Sequence, residues 1–123
     1  MSKDLTLPGS EMPVIDENRL MSEFGGDEEI LAELRDLFLD HAPPLYEAIV
    51  AAVTSGDCES LVKDAHSFKG ACATYGAPRL ALICKEFEAW AKQNDLESIR
   101  TNLHHLDNEY RAVFEAIGSI GVR

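Results

Sequence analysis

The chain has 123 residues, of which 46% are hydrophobic and 27% are charged, and its formal net charge at pH 7 is -11. A chain of this length forms one domain that buries roughly two-thirds of its unfolded surface, so it needs neither a metal nor a disulfide to fold. The acidic balance excludes nucleic acid as a partner, because phosphate backbones are bound by basic surfaces.

The cysteines and the hydropathy pattern bear on the cellular compartment. Cys58, Cys72 and Cys84 are odd in number and lack paired metal-ligand spacing, which predicts reduced thiols. The sequence has no signal-peptide pattern and no apolar run long enough to span a membrane. We therefore expect a cytoplasmic protein that does not associate with membranes.

The N-terminal third predicts a leader and two helices. Residues 1–12 mix Ser, Pro, Gly and charged residues without periodicity, which is typical of a flexible leader. Asp16 is placed to cap a short helix that a glycine pair ends, and Asp27 to cap the next one. We expect this second helix to bend or restart at Pro43 and Pro44.

The rest of the chain predicts three further helical segments. Asp57 caps a helix that ends at Gly76, and Pro78 suits the first turn of the helix that follows. Their connection is so short that the two helices must pack antiparallel. After a cap at Asn94 or Asp95, apolar residues recur at bundle spacing to the end of the last helix.

These elements predict an all-α protein. The fold is expected to be an antiparallel up-down four-helix bundle with an additional short N-terminal helix, since the chain shows neither strand-like alternation nor an internal repeat. The bundle spans residues 13–118, and residues 119–123 form a flexible C-terminal tail.

The stretch 65–76 carries the most specific chemical signal. At about 100° per residue its core-facing stripe leaves His66 on the outward side, together with Gly70 and Ala73. Lys69 lies beside the histidine at i+3. A glycine inside a helix costs about 1 kcal/mol relative to alanine, and clearance around the imidazole explains its use here. The expected stripe consists of Leu61, Ala65, Phe68, Cys72 and Tyr75.

This pattern resembles the signature of histidine phosphotransfer (HPt) domains: His, two residues, Lys-Gly, five residues, Gly. His66, Lys69, Gly70 and Gly76 match every defined position. The resemblance covers residues 14–117 loosely. Its departures are two aromatic residues inside the motif, where the family more often has aliphatic ones.

The resemblance implies a phosphocarrier. His66 would accept a phosphoryl group from a receiver-domain aspartate and pass it to another receiver-domain aspartate, and Lys69 would offset part of the added charge. The receiver domains would belong to response regulators or hybrid histidine kinases and would bring their own Mg²⁺. The chain itself would be a monomer with no cofactor, no metal and no ATP site, and therefore not an enzyme.

The partner surface is predicted around the motif. Residues 59–85 contain four Lys or Arg and two Asp or Glu, which gives this stretch a net charge of +2 within a chain whose net charge is -11. Such an island would orient the approach of the acidic phosphorylation pocket of a receiver domain. The residues expected to contact the partner are Val62, Lys63, Gly70, Ala73 and Arg79.

Other classes of function lack their motifs. No Gly-rich nucleotide loop and no Gly-x-Ser-x-Gly turn is present. Carboxylate-bridged metal bundles use Glu-x-x-His, but here the residues three positions before the four histidines are Phe38, Lys63, Thr101 and Asn102. The alternative that stays open is a helical-bundle adaptor that binds receiver or kinase domains without being phosphorylated. His41, His104 and His105 are expected to have no chemical role.

Overall fold

The computed structural model describes residues 3–7 and 12–121, with side chains as far as residue 118, and the regular structure of this part is entirely helical. The helices are α1 (Glu17–Phe24), α2 (Glu28–Ser55), α3 (Cys58–Tyr75), α4 (Pro78–Lys92), α5 (Leu96–Thr101) and α6 (Leu103–Gly121).

Polar caps and turns define the helix ends. Four helices begin after an aspartate whose side chain accepts a hydrogen bond from a backbone N–H in the first turn: Asp16, Asp27, Asp57 and Asp95. Gly76 ends α3 in the left-handed conformation, with φ of 92°. Its carbonyl accepts a hydrogen bond of 2.8 Å from the Asp16 amide, so the start of α1 is tied to the end of α3.

The helix α3 lies at the centre of the bundle, packed against α2 and α4. The five residues of its predicted stripe are all buried, as expected. Only Gly76 and Ala77 separate α3 from α4, and the two helices run antiparallel along most of their length. The prediction of an all-α bundle with a short first helix is confirmed.

The helix α2 runs through Pro43 and Pro44 without restarting. Each proline removes one amide donor from the helical ladder, which ordinarily destabilises a helix interior. Ala42 and Ile49, on either side of the pair, are fully buried in the core. Packing on both sides therefore keeps the two segments in one helix, and the expectation of a restart is wrong.

The last predicted helix is divided at Asn102, which is 1% exposed. Its side-chain oxygen accepts a 2.9 Å hydrogen bond from the Leu5 amide, and Nδ2 donates to the carbonyls of Lys3 and Ser98 at 2.6 and 2.7 Å. The Lys3 amide also donates to Ser98 Oγ at 2.9 Å. Asn102 thus joins an extended N-terminal segment to the bundle.

The structure describes parts of both ends of the chain that are predicted to be flexible. Within the leader predicted over 1–12, backbone groups of Lys3 and Leu5 form hydrogen bonds with Ser98 and Asn102. The flexible tail expected over 119–123 is helical as far as Gly121. Residues 1–2, 8–11 and 122–123 lie outside the described residues, and the carbonyl oxygen of Met12 accepts a 3.4 Å hydrogen bond from Arg79. The flexible leader, the flexible tail and the domain boundaries stay predictions.

We expect Asn102→Ala to lower the free energy of unfolding by roughly 1–3 kcal/mol, because backbone groups of the N-terminal segment and of Ser98 would lose their buried partner. Urea unfolding followed by circular dichroism measures this change. Asn108→Ala, at an exposed position of α6, is the matched control and should change stability by less than about 0.5 kcal/mol. Equal effects of the two substitutions would contradict the anchoring role.

Candidate functional site

The His66 side chain projects from the outer side of α3 and is 68% exposed. Its position follows from the helical period, since the neighbouring Ala65 belongs to the fully buried stripe. Gly70 and Ala73 are exposed, and a Cβ built at Gly70 meets nothing within 4 Å. The predicted clearance beside the imidazole is therefore present.

The imidazole faces a carboxylate of the neighbouring helix. His66 Nδ1 lies 3.3 Å from both carboxylate oxygens of Glu88 on α4. The Glu88 side chain is only 9% exposed. Because an ionised carboxylate only accepts hydrogen bonds, this contact places the proton of the neutral ring on Nδ1 and leaves the lone pair on Nε2. The ring thus has a defined nucleophilic nitrogen.

Two ammonium groups bind the same carboxylate. Lys69 Nζ donates to Glu88 Oε1 at 2.8 Å, and Lys92 Nζ lies 3.0 Å from Oε2. The hydrogen bond from Lys69, aided by those from Lys92 and His66, outweighs burial and lowers the pKa of Glu88 to about 2. Glu88 is therefore ionised at neutral pH. We call His66, Lys69, Glu88 and Lys92 the Glu88 cluster.

The other predicted contact residues lie in different settings. Lys63 is exposed on α3, three residues before His66, whereas Val62 is half-buried against the core. Arg79 pairs with Glu109 of α6 at 2.9 Å. Nine residues separate Arg79 from Glu88 on α4, which puts the two on opposite sides of that helix. The structure therefore does not bring Arg79 to the Glu88 cluster.

Sequence reasoning missed Glu88 and Lys92, although two signals point to them. Antiparallel helices place residues at equal distances from their turn side by side, and His66 precedes Gly76 by 10 residues while Glu88 follows Ala77 by 11. Glu88 also falls within the apolar stripe of α4, where a charged group requires partners. Lys92 follows it at i+4, the spacing of a helical ion pair.

A largely apolar groove of about 570 Å³ runs between α2 and α3 next to this site. Leu37 and Pro44 line it from α2, and Gly70 and Thr74 line it from α3. Leu37 is 53% exposed, although the helical spacing of α2 predicts it on the apolar stripe. Gly70 belongs both to the groove and to the open surface beside His66, so the two features are continuous.

In the part of the chain that the structure describes, no three His, Cys, Asp or Glu side chains form a group suited to a metal ion. Over the same residues, no helix combines the length and the apolar character needed to cross a bilayer.

Comparison with known proteins identifies the family and the fold. The model of the Hpt domain family matches residues 33–116, a range that includes the whole Glu88 cluster. The crystal structure of histidine-containing phosphotransfer protein B (HptB) from Pseudomonas aeruginosa is 29% identical, with a TM-score of 0.79 over 87% of this chain and 93% of that one. The maize phosphotransfer protein ZmHP2 is 22% identical over 87% of each chain, with a TM-score of 0.56, and shows the fold alone.

A curated relative extends the similarity to a larger protein. The sensor histidine kinase GacS of Pseudomonas protegens is 28% identical over 100 residues, which is 81% of this chain but 11% of the kinase. This chain thus spans about a tenth of that relative. Because the family model matches more than half of the sequence, and a solved phosphotransfer protein shares its fold, the chain belongs to the Hpt domain family and is a phosphorelay phosphocarrier.

Proposed function

We propose that this protein is a phosphorelay intermediate that carries phosphoryl groups between two receiver domains, with His66 as the phosphoacceptor. The observation that carries the proposal is an exposed imidazole whose Nδ1 contacts an ionised, nearly buried carboxylate. This arrangement prepares one ring nitrogen for reaction while the surrounding surface stays open to a partner.

The chemistry needs no proton transfer within this chain. The Nε2 lone pair of His66 attacks the phosphorus of an aspartyl phosphate, and the phosphorus–oxygen bond breaks with its electron pair going to the aspartate. The ring keeps its Nδ1 proton and becomes positively charged, and the Glu88 carboxylate stabilises that charge. In the onward transfer a second aspartate attacks the phosphorus, and the ring leaves as neutral imidazole.

The groove between α2 and α3 supports docking of a folded partner next to His66. Its exposed Leu37 and its open backbone at Gly70 would pack against an apolar face of the receiver domain. The partner would supply Mg²⁺ in its own acidic pocket, and this chain would need no cofactor of its own.

The four cations between residues 59 and 85 lie in different settings in the structure. Lys69 and Arg79 pair with Glu88 and Glu109, whereas Lys63 and Lys85 are exposed. We propose that the exposed lysines guide the encounter, with the protein acting as a monomer. The three cysteines are free, which supports placing the reaction in the reducing cytoplasm.

His66→Gln should abolish labelling by a phosphorylated receiver domain in the presence of Mg²⁺, since His66 is the histidine in contact with Glu88. The label on the wild type should be acid-labile and base-stable. His104→Gln, which changes an exposed histidine of α6 outside the groove, is the control and should label as the wild type does. A wild type that binds receiver domains but never takes up label would favour the adaptor alternative.

Gly70→Leu should raise stability and slow transfer. The free energy of unfolding should increase by up to about 1 kcal/mol, because leucine favours the helix and its Cβ meets no atom within 4 Å. The rate of transfer should fall at least about tenfold, because the side chain enters the surface that the partner must approach. Gly118→Leu, in an equally open part of α6, should stabilise the fold without slowing transfer. Unchanged transfer in Gly70→Leu would contradict the access role.

Glu88→Gln should make the free energy of unfolding depend less strongly on pH under acidic conditions. The pKa of Glu88 is lowered from 4.5 to about 2, so its stabilisation of the folded state is complete above pH 4.5 and is lost as the pH falls towards 2. Unfolding free energies measured across this window should decrease less steeply in Glu88→Gln than in the wild type. Glu86→Gln, which removes an equal charge from α4 outside the Glu88 cluster, is the matched control. Parallel slopes for all three proteins would show that the Glu88 contacts are not maintained in solution.

A further inference from the structure

The Glu88 cluster carries one more positive charge than its resting contacts require. One carboxylate accepts hydrogen bonds from two ammonium groups and from a neutral imidazole. A phosphoryl group on His66 adds a charge of about -1.5 to -2 within reach of both lysines. One lysine can therefore leave Glu88 for the phosphoryl group while the other keeps the buried carboxylate paired.

We propose that Lys92 is the lysine that leaves, and that it contacts the phosphoryl group on His66 while Lys69 stays on Glu88 as a positioning residue. This assignment rests on the proposed function, and it moves the charge-stabilising role expected of Lys69 to a residue that the motif does not contain. The two lysines differ in the exposure of their side chains, in their distance from the Glu88 carboxylate and in the helix to which they belong. They differ also in the effect that their release would have on Glu88.

Exposure and distance favour Lys92. Its side chain is 61% exposed and lies 3.0 Å from Oε2, whereas that of Lys69 is 32% exposed and lies 2.8 Å from Oε1. The contact between Glu88 and Lys92 is an i,i+4 pair within α4 whose ammonium group lies largely in solvent, and solvent weakens such ion pairs. Breaking it needs only a rotation of a flexible side chain that already lies largely in solvent.

The contact made by Lys69 is harder to give up. Lys69 extends from α3 to a carboxylate of α4, so its ion pair joins the two helices that hold the site. If it left, Glu88 would keep only the exposed Lys92 as its cation, and a nearly buried carboxylate with a weakened partner is unfavourable. If Lys92 leaves, the shorter and less exposed pair remains.

The release of Lys92 from Glu88 also helps to stabilise the positive charge that phosphorylation creates on the His66 ring. Oε2 of Glu88 is shared in the resting protein, at 3.3 Å from His66 Nδ1 and 3.0 Å from Lys92 Nζ. When Lys92 leaves, this oxygen is released to the Nδ1–H of a ring that is now positively charged. The movement of Lys92 therefore strengthens both new pairs of opposite charge, between phosphoryl group and ammonium and between ring and carboxylate.

The test is a ³¹P NMR titration of protein phosphorylated with phosphoramidate, which requires no docking partner. The resonance of phosphorylated His66 is assigned by its absence from His66→Gln. A cation beside the phosphoryl group disfavours protonation of the phosphorylated imidazole, so Lys92→Ala should raise the midpoint by up to about half a pH unit at low salt. The difference should shrink at high salt, and Lys92→Arg should restore the wild-type midpoint.

Two further variants separate the alternatives. Lys85→Ala removes the same charge from α4 at an exposed position and should leave the midpoint unchanged. Lys69→Ala should lower the free energy of unfolding more than Lys92→Ala does, while moving the midpoint less. A midpoint that moves with Lys69→Ala but not with Lys92→Ala overturns the assignment. Absence of any resonance from His66 in the wild type overturns the proposed function itself.

Discussion

The nearly buried charge of Glu88 is the constraint on which the rest of the site depends. A carboxylate this far out of water is stable only when its oxygens are paired, and here the partners are Lys69 and His66 of α3 and Lys92 of its own helix. The same contacts that satisfy the carboxylate orient the imidazole and fix which ring nitrogen carries the proton. The contacts that stabilise the packing of α3 against α4 are therefore the same contacts that orient the His66 ring.

The three long neighbouring helices contribute differently to the surface around His66. The helix α3 supplies the imidazole and the open backbone beside it, α4 supplies the charges, and α2 supplies most of the apolar groove. A partner that docks across this surface contacts all three helices at once.

Predictions from the sequence are most accurate for features that depend on residues within a few helical turns of one another. His66, Lys69 and Gly70 share one helix, so helical periodicity alone places them, and the aspartate caps are equally local. Helical periodicity cannot predict the role of Glu88, because that role depends on contacts with residues of another helix. The predicted restart at Pro43 and Pro44 is wrong because the burial of Ala42 and Ile49 overrides the unfavourable effect of proline inside a helix.

Hydrogen bonds between residues far apart in the chain hold part of the N-terminal segment. Nothing in the composition of the leader signals order, since its partner is the side chain of Asn102, 97 residues beyond Leu5. The break between α5 and α6 has the same origin. A buried amide group at this position is understandable only when the segment that binds it is known.

The way Asn102 holds the N-terminal segment has a consequence for which sequences that segment tolerates. The polar contacts use backbone groups of Lys3 and Leu5, so most residue types satisfy them, but proline at either position would lack the N–H that donates. The side chains of Leu5 and Leu7 pack against the core in alternation. A shift of the segment by one residue would turn both leucines towards solvent, so insertions here are tolerated less well than substitutions.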